Sequence, residues 1–190
     1  KGTTQTRLQN IAKEGAQVDI QELNYDDCVR LAAKEADETP RGVIVQDTAW
    51  DGYEEIPAWI MQGYSTMAME AGEQLKAQGC ERPTHIFVQA GVGSLAGAVV
   101  GYFSNLYADN LPTFVVVEAE AAACLYKGAA AGESGAAPFG ALAAMMTMDE
   151  YKDLRNDIGL DENSKVLLFS TEGDTDPDRY KNIVWKGLDK

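Results

Sequence analysis

The chain has 190 residues and a formal net charge of −14 at neutral pH, and this length predicts one domain, or one large domain with part of another. The acidic surface argues against a nucleic acid or an anionic membrane as partner, because both carry the same sign of charge. Since the sequence has neither an apolar run of about 18 residues nor a signal-peptide pattern at its start, it favours a cytoplasmic protein that acts on a small molecule.

Residues 1–50 alternate predicted helices and strands. Thr3 or Thr4 is placed to cap a first helix, which Gly15 would end. Asn24 is placed to cap a second helix, which Pro40 interrupts. Alternating apolar residues at 16–23 and an apolar run at 43–45 predict two strands.

The remaining chain continues the alternation. Apolar residues recur every three or four positions from 54 to 78, which predicts one long helix. Further strands are predicted at 84–88, 113–117 and 165–169, and further helices at 95–107, at 134–148, from 148 onward and beyond 176. We therefore predict an α/β fold with a mainly parallel sheet, helices on both faces and strands buried on both sides.

A glycine-rich loop, residues 89–97, joins a predicted strand to a predicted helix. Glycines at 91, 93 and 97 permit tight turns and let backbone amides approach a ligand, and the helix start adds partial positive charge. The pattern predicts an anion site with a phosphate as its guest. Two alternatives stay open: a plain turn before a packed helix, and a nicotinamide dehydrogenase loop, because residues 91–96 fit G-x-G-x-x-G/A and Glu118 ends the next strand.

Four segments follow predicted strands: 46–50, the glycine-rich loop, Glu118 with the residues after it, and 170–176. Ligands of parallel sheets gather at the carboxyl ends of the strands, so these segments should meet at one cleft. The three cysteines and the single histidine are too widely spaced to predict a disulfide framework or a metal site.

Several of these segments carry a family resemblance. Residues 45–53, 56–64, 89–97, 132–136 and 169–176 closely resemble the diaminopropionate ammonia-lyases. That family belongs to the fold-type II enzymes that use pyridoxal 5′-phosphate (PLP), alongside the tryptophan synthase β-subunit. The resemblance implies a PLP-dependent α,β-elimination that converts 2,3-diaminopropionate to pyruvate and ammonia, in a homodimer. A related lyase acting on serine or threonine, or a non-catalytic chain that binds a phosphate ligand, are the alternatives.

The resemblance also implies roles for individual residues. Asp47 matches the aspartate proposed to take the Cα proton from the L-isomer of the substrate; alternatively, it caps a turn before Thr48. The backbone amides of the loop would hold the cofactor phosphate, which assigns this role to Gly91, Val92, Gly93, Ser94 and Leu95.

The resemblance implies roles at four further positions, of which Glu118 and Glu133 are the weaker matches. Ser170 or Thr171 matches a hydroxyl that relatives present to the pyridine nitrogen, although a hydroxyl there is equally common as a loop cap. Such a neutral partner leaves the nitrogen largely unprotonated, which favours elimination over transamination. Glu133 and Glu118 match site positions too, and each is also a candidate helix cap.

The sequence departs from the family in three ways. No lysine has the apolar setting of the family's Schiff-base lysine, and the family's segment with that lysine lies before the part that residue 1 matches. Near residues 128–132 the family carries further residues, so we expect a missing segment there. We therefore expect an incomplete chain that is inactive by itself, with residues 1–50 closing the smaller domain and 51–190 forming the large PLP-binding domain.

Overall fold

The computed structural model describes residues 4–118 and 135–171. The helices are α1 (Gln5–Ala12), α2 (Tyr25–Glu38), α3 (Glu55–Ala77), α4 (Ser94–Leu106), α5 (Ala137–Thr147) and α6 (Lys152–Asp157), and the strands are β1 (His85–Gln89), β2 (Thr113–Val117) and β3 (Val166–Leu168). A 3₁₀ turn, Asp149–Tyr151, leads into α6. In this part of the chain no helix is long and apolar enough to cross a membrane.

The three strands form a parallel sheet in the order β2-β1-β3. The central strand β1 is buried along its whole length. Its residues Ile86 and Val88 enter one apolar cluster with Val99 and Phe103 of α4 and Ala68 of α3. The sheet and the α3–α4 pair therefore share one core.

The opposite face of β1 is covered as well. Because side chains alternate along a strand, His85 and Phe87 point away from the cluster that contains Ile86. The His85 Nε2 atom lies 2.9 Å from the carbonyl oxygen of Ile158, at the end of α6, and α5 packs on β1 and β2. The prediction of a parallel sheet with helices on both faces is confirmed.

Residues at the helix starts lie at the positions that local sequence preferences favour. Thr4 and Asn24 cap α1 and α2, and each side chain accepts a backbone N–H three residues ahead. Pro57 is buried in the first turn of α3, where a missing N–H costs nothing. The predicted helix beyond 176 lies outside the described residues.

Two of the five predicted strands are wrong. Residues 16–23 and 43–45 are irregular, and Val43 and Val45 are 65% and 69% exposed. A strand needs a neighbour to complete its hydrogen bonds, and no described strand lies beside either segment. The Tyr53 hydroxyl instead donates to the Ile44 carbonyl, 2.9 Å away, and accepts from the Gln46 amide at 3.0 Å.

The prediction that the strands are buried on both faces is confirmed for β1 but not for the other two described strands. The edge strands are half-buried, and Val116 of β2 is 49% exposed. An edge strand lacks a neighbour on one side, so its side chains receive less cover.

Candidate active site

The glycine-rich loop turns between β1 and α4 as predicted. The amide of Ala90 still donates to the Val117 carbonyl at 3.0 Å, which extends the pairing with β2 by one residue. Gly93 is the N-cap of α4 and adopts φ 94° and ψ −13°, a left-handed conformation that favours glycine. The amide of Gly97 then makes the first helical bond, to the Gly93 carbonyl at 2.8 Å.

The loop presents a row of unused donors. Within residues 4–118 and 135–171, no group accepts a hydrogen bond from the backbone amides of residues 91–96. Among the described residues, nothing lies within 4 Å of a methyl group built on Gly91 or Gly93. Successive unpaired amides at a helix start are typical of an anion site.

Gly97 serves a different purpose from its two neighbours. It lies inside α4, and a Cβ there would come within 3.0 Å of the Met61 Cε atom on α3. The residue permits close packing of two helices, so the prediction that it shapes the anion site is not supported.

Ser94 links the loop to the segment that contains Asp47. Its buried hydroxyl donates to the Asp47 backbone carbonyl at 2.5 Å. The Ser94 amide is one of the unpaired donors of the loop, while its side chain contacts a second segment. Leu95 packs against the core cluster, and Val92 is 46% exposed.

Asp47 lies in a short hairpin-like loop, residues 46–53, rather than at a strand end. Trp50 and Tyr53 form an antiparallel bridge, and their rings stack with centroids 4.2 Å apart. Asp47 itself is half-buried, and its carboxylate accepts no hydrogen bond from the described residues. The alternative that Asp47 caps a turn therefore has no support in the structure.

The third segment follows β3. Phe169 is buried in the core cluster, whereas Ser170 and Thr171 are exposed. The Thr171 Oγ1 atom accepts a hydrogen bond from the Gln89 Nε2 atom at 2.7 Å. The segment after β3 thus contacts Gln89, which is the last residue of β1 and the first residue of the glycine-rich loop.

Gln89 was missed as a site residue by sequence reasoning. A polar side chain at the end of a buried apolar strand was the signal that could have found it. It is 6% exposed, and its Oε1 atom is buried without a partner among the described residues, as are Gln46 Oε1 and Thr48 Oγ1. Because buried polar atoms without a partner are rare, these three atoms are candidate contacts to a polar ligand.

Two of the predicted segments, 46–50 and 170–176, contact the glycine-rich loop in the described part of the chain. Direct hydrogen bonds join the Asp47 loop to Ser94, Thr171 to Gln89, and the end of β2 to Ala90. Glu118 follows β2 and is exposed, with no hydrogen bond recorded in the described part. Glu133 lies outside the described residues.

The described residues contain no cluster of acidic, histidine or cysteine side chains suited to a metal ion. No lysine occurs in the Asp47 loop, in the glycine-rich loop or at 169–171. The site therefore offers amides, hydroxyls and one carboxylate.

A parallel sheet with an anion-binding loop at its carboxyl edge defines an α/β ligand-binding fold, and comparison with known proteins specifies its family. Residues 1–166 match the family of pyridoxal-phosphate dependent enzymes. The chain belongs to this family. The dinucleotide-binding alternative is thereby excluded.

Individual relatives within the family share more of the sequence. Diaminopropionate ammonia-lyase of Salmonella typhimurium is 39% identical over 254 residues, which covers 98% of this chain and 63% of that protein. The enzyme of Escherichia coli strain K12 is 33% identical with the same coverage. The chain thus spans about 63% of the length of these curated relatives.

Solved structures agree with the sequence relatives. The Escherichia coli diaminopropionate ammonia lyase in apo form superposes with a TM-score of 0.86 at 37% identity, covering 98% of this chain and 60% of that one. The same enzyme in complex with an aminoacrylate–PLP azomethine reaction intermediate gives 0.87 at 34% identity, covering 98% and 64%. The predicted family resemblance and fold are confirmed.

Proposed function

We propose that this chain is part of a PLP-dependent lyase that eliminates ammonia from 2,3-diaminopropionate and yields pyruvate and ammonia. The observation that carries the proposal is the run of backbone amides at residues 91–96, at the carboxyl edge of the sheet, from which no described residue accepts a hydrogen bond. The identity of about a third with diaminopropionate ammonia-lyases supports the choice of substrate.

The residues present fit the phosphate and the ring of PLP. Hydrogen bonds from backbone amides to an anion contribute roughly 1.5–3 kcal/mol each, so three or four of the amides between Gly91 and Leu95 suffice to hold a phosphate. Thr171, which Gln89 holds at the same edge, supplies a hydroxyl for the pyridine nitrogen, and Ser170 is the alternative donor. Glu133 is a further proposed contact to the cofactor.

Asp47 is the proposed base. When bound, PLP supplies an electron sink for the negative charge that develops on Cα. The Asp47 carboxylate is half-buried and accepts no hydrogen bond in the described part, so its oxygens are available for the Cα proton of the L-isomer. Ser94 fixes the backbone of the same residue and thereby couples the phosphate loop to the base.

Four wider properties of the protein are proposed from the family resemblance. The resemblance supports a homodimer located in the cytoplasm. The division at residue 50 between a smaller and a large domain, and a missing segment near 128–132, rest on the same resemblance. Because no lysine lies in the site segments, we expect the 190-residue chain by itself to bind phosphate ligands without turnover.

The first experiment tests the phosphate site. Titration of the protein as expressed with PLP and with pyridoxal, followed by fluorescence, should show tight binding of PLP and much weaker binding of pyridoxal. Equal affinity for the two compounds would contradict a phosphate site at the glycine-rich loop. The intact mass and the visible absorption of the same sample establish whether a longer chain carries a covalently held cofactor.

The second experiment tests Asp47 in that longer chain. Asp47→Asn should lower elimination from the L-isomer by roughly 100-fold to 10,000-fold, the usual range for loss of a general base, and should leave PLP affinity unchanged. Asp51→Asn is the matched control, because Asp51 is an exposed carboxylate in the same loop. Equal effects of the two changes would refute the role of Asp47.

A further inference from the structure

Gln89 occupies a position that no other polar side chain of the sheet shares. It ends the central strand, is 6% exposed, and directs its Nε2 atom at the Thr171 Oγ1 atom, 2.7 Å away. Thr171 is exposed and lies beyond the end of β3. Among the described residues, Gln89 is the one hydrogen-bond partner of the Thr171 hydroxyl.

The direction of this hydrogen bond decides what Thr171 can offer to a ligand. A hydroxyl has one hydrogen and two lone pairs. Because the Gln89 amide nitrogen donates, it occupies a lone pair of Thr171 and leaves the hydroxyl hydrogen available. Thr171 then presents a donor at the carboxyl edge of the sheet.

A hydroxyl that donates matches one protonation state of a pyridine ring. An unprotonated nitrogen accepts a hydrogen bond, whereas a protonated nitrogen donates and needs an acceptor. A carboxylate in place of the Gln89 amide would accept the Thr171 hydrogen and would turn the hydroxyl oxygen toward the ring as an acceptor. The side chain at position 89 thus selects the protonation state by way of Thr171.

We propose that Gln89 is a positioning residue that holds the Thr171 hydroxyl as a hydrogen-bond donor to the pyridine nitrogen and so keeps that nitrogen unprotonated. The inference rests on the proposed function, since it requires PLP at this site. It adds a residue to which the family resemblance assigns no role, and a direction for the hydrogen bond.

The test uses the longer chain with PLP labelled with ¹⁵N in the ring. The wild type should give the ¹⁵N chemical shift of an unprotonated pyridine, and Gln89→Glu should move it toward that of a protonated pyridine. The transamination side reaction should rise relative to elimination in the same variant. If wild-type protein binds PLP and Gln89→Glu leaves the ¹⁵N shift unchanged, the role of Gln89 is refuted.

Two further variants separate positioning from general damage. Gln89→Met keeps the length of the side chain without its donor, and PLP affinity should fall roughly tenfold, as expected for one lost hydrogen bond. Thr171→Val should produce a similar loss, and the double variant should be no weaker than either single one. Fully additive losses would refute the coupling between the two residues.

The outcome also separates this inference from the function on which it rests. If the wild type binds no PLP, the proposed function fails. The Gln89–Thr171 coupling then remains measurable in the thermal unfolding of the cofactor-free protein, where each single variant should lower the Tm by about 2–4 °C and the double variant by no more. Independent Tm losses would show that the hydrogen bond is absent.

Discussion

Gly93 gives the sharpest test of the loop geometry. Its φ of 94° lies in the left-handed region, where a residue with a Cβ loses roughly 1–2 kcal/mol. Replacing glycine by alanine also restricts the unfolded chain, which offsets about 0.4–1 kcal/mol of this destabilisation. A Cβ at this position meets nothing within 4 Å, so crowding adds no further cost, and Gly93→Ala should destabilise the protein by about 1 kcal/mol.

The assay is thermal unfolding of the cofactor-free protein, with Gly91→Ala as a matched control. Gly91 is in the same loop and faces the same open space, but its φ is not positive. We expect Gly93→Ala to lower the Tm by about 2–4 °C, and Gly91→Ala to leave it unchanged or slightly raised. Equal melting temperatures for the two variants would refute the left-handed turn at position 93.

The same pair of variants reports on the anion site. Forcing residue 93 out of its left-handed conformation turns the amides of Ser94 and Leu95 away from their common target. PLP affinity should therefore fall by roughly tenfold or more in Gly93→Ala, which corresponds to about one hydrogen bond to an anion. Unchanged PLP affinity would show that these amides do not contact the phosphate.

Three other predictions follow from single contacts. Ser94→Ala removes the hydroxyl that donates to the Asp47 carbonyl, a hydrogen bond that contributes about 1 kcal/mol. This variant should have a lower kcat and unchanged PLP affinity, and Ser94→Thr should restore part of the rate. A loss of PLP affinity without a loss of kcat would contradict this role. Arg155 donates to the carbonyls of Met145 and Met146 in the last turn of α5, at 3.0 and 3.1 Å. Arg155→Gln should therefore lower the free energy of unfolding, measured in urea, by about 1–2 kcal/mol. Lys152→Gln, at an exposed position of α6, is the control and should leave this free energy unchanged. Hydrogen bonds from the Asn163 backbone amide, the larger effect, and from the Ser164 hydroxyl lower the pKa of Asp161. The Asp161 carboxylate therefore stabilises the fold at pH values above the ordinary pKa of about 3.9. This stabilisation is lost as the pH falls through the lower pKa of the folded state. Asp161→Asn should flatten the acid limb of stability against pH, and an unchanged acid limb would count against the assignment.

Sequence reasoning predicted the helices better than the strands. Thr4 and Asn24 are local signals, and each caps a helix as the sequence predicted. Residues 113–117 form a strand with the predicted bounds. The segments 16–23 and 43–45 have the same apolar character but no described strand to pair with, so pattern alone misassigned them.

The glycine-rich loop shows the same division within the site. The spacing of Gly91 and Gly93 between a strand and a helix predicted an anion site without further information. Gly97 belongs to the same motif, yet the contact with Met61 shows that it serves helix packing. A motif specifies the backbone freedom of its glycines, and the neighbouring element decides which purpose each one serves.

The sequence by itself determined the local and periodic features of this protein: helix caps, apolar periodicity, the amide-rich turn and the family resemblance. These depend on residues close together in the chain, whose spacing is visible in one dimension. The tertiary structure alone decided which distant groups meet, namely Ser94 with Asp47 and Gln89 with Thr171, separated by 47 and 82 positions. Such contacts are set by the register of parallel strands and the packing of helices on them, because the carboxyl ends of the strands adjoin only once the sheet has formed.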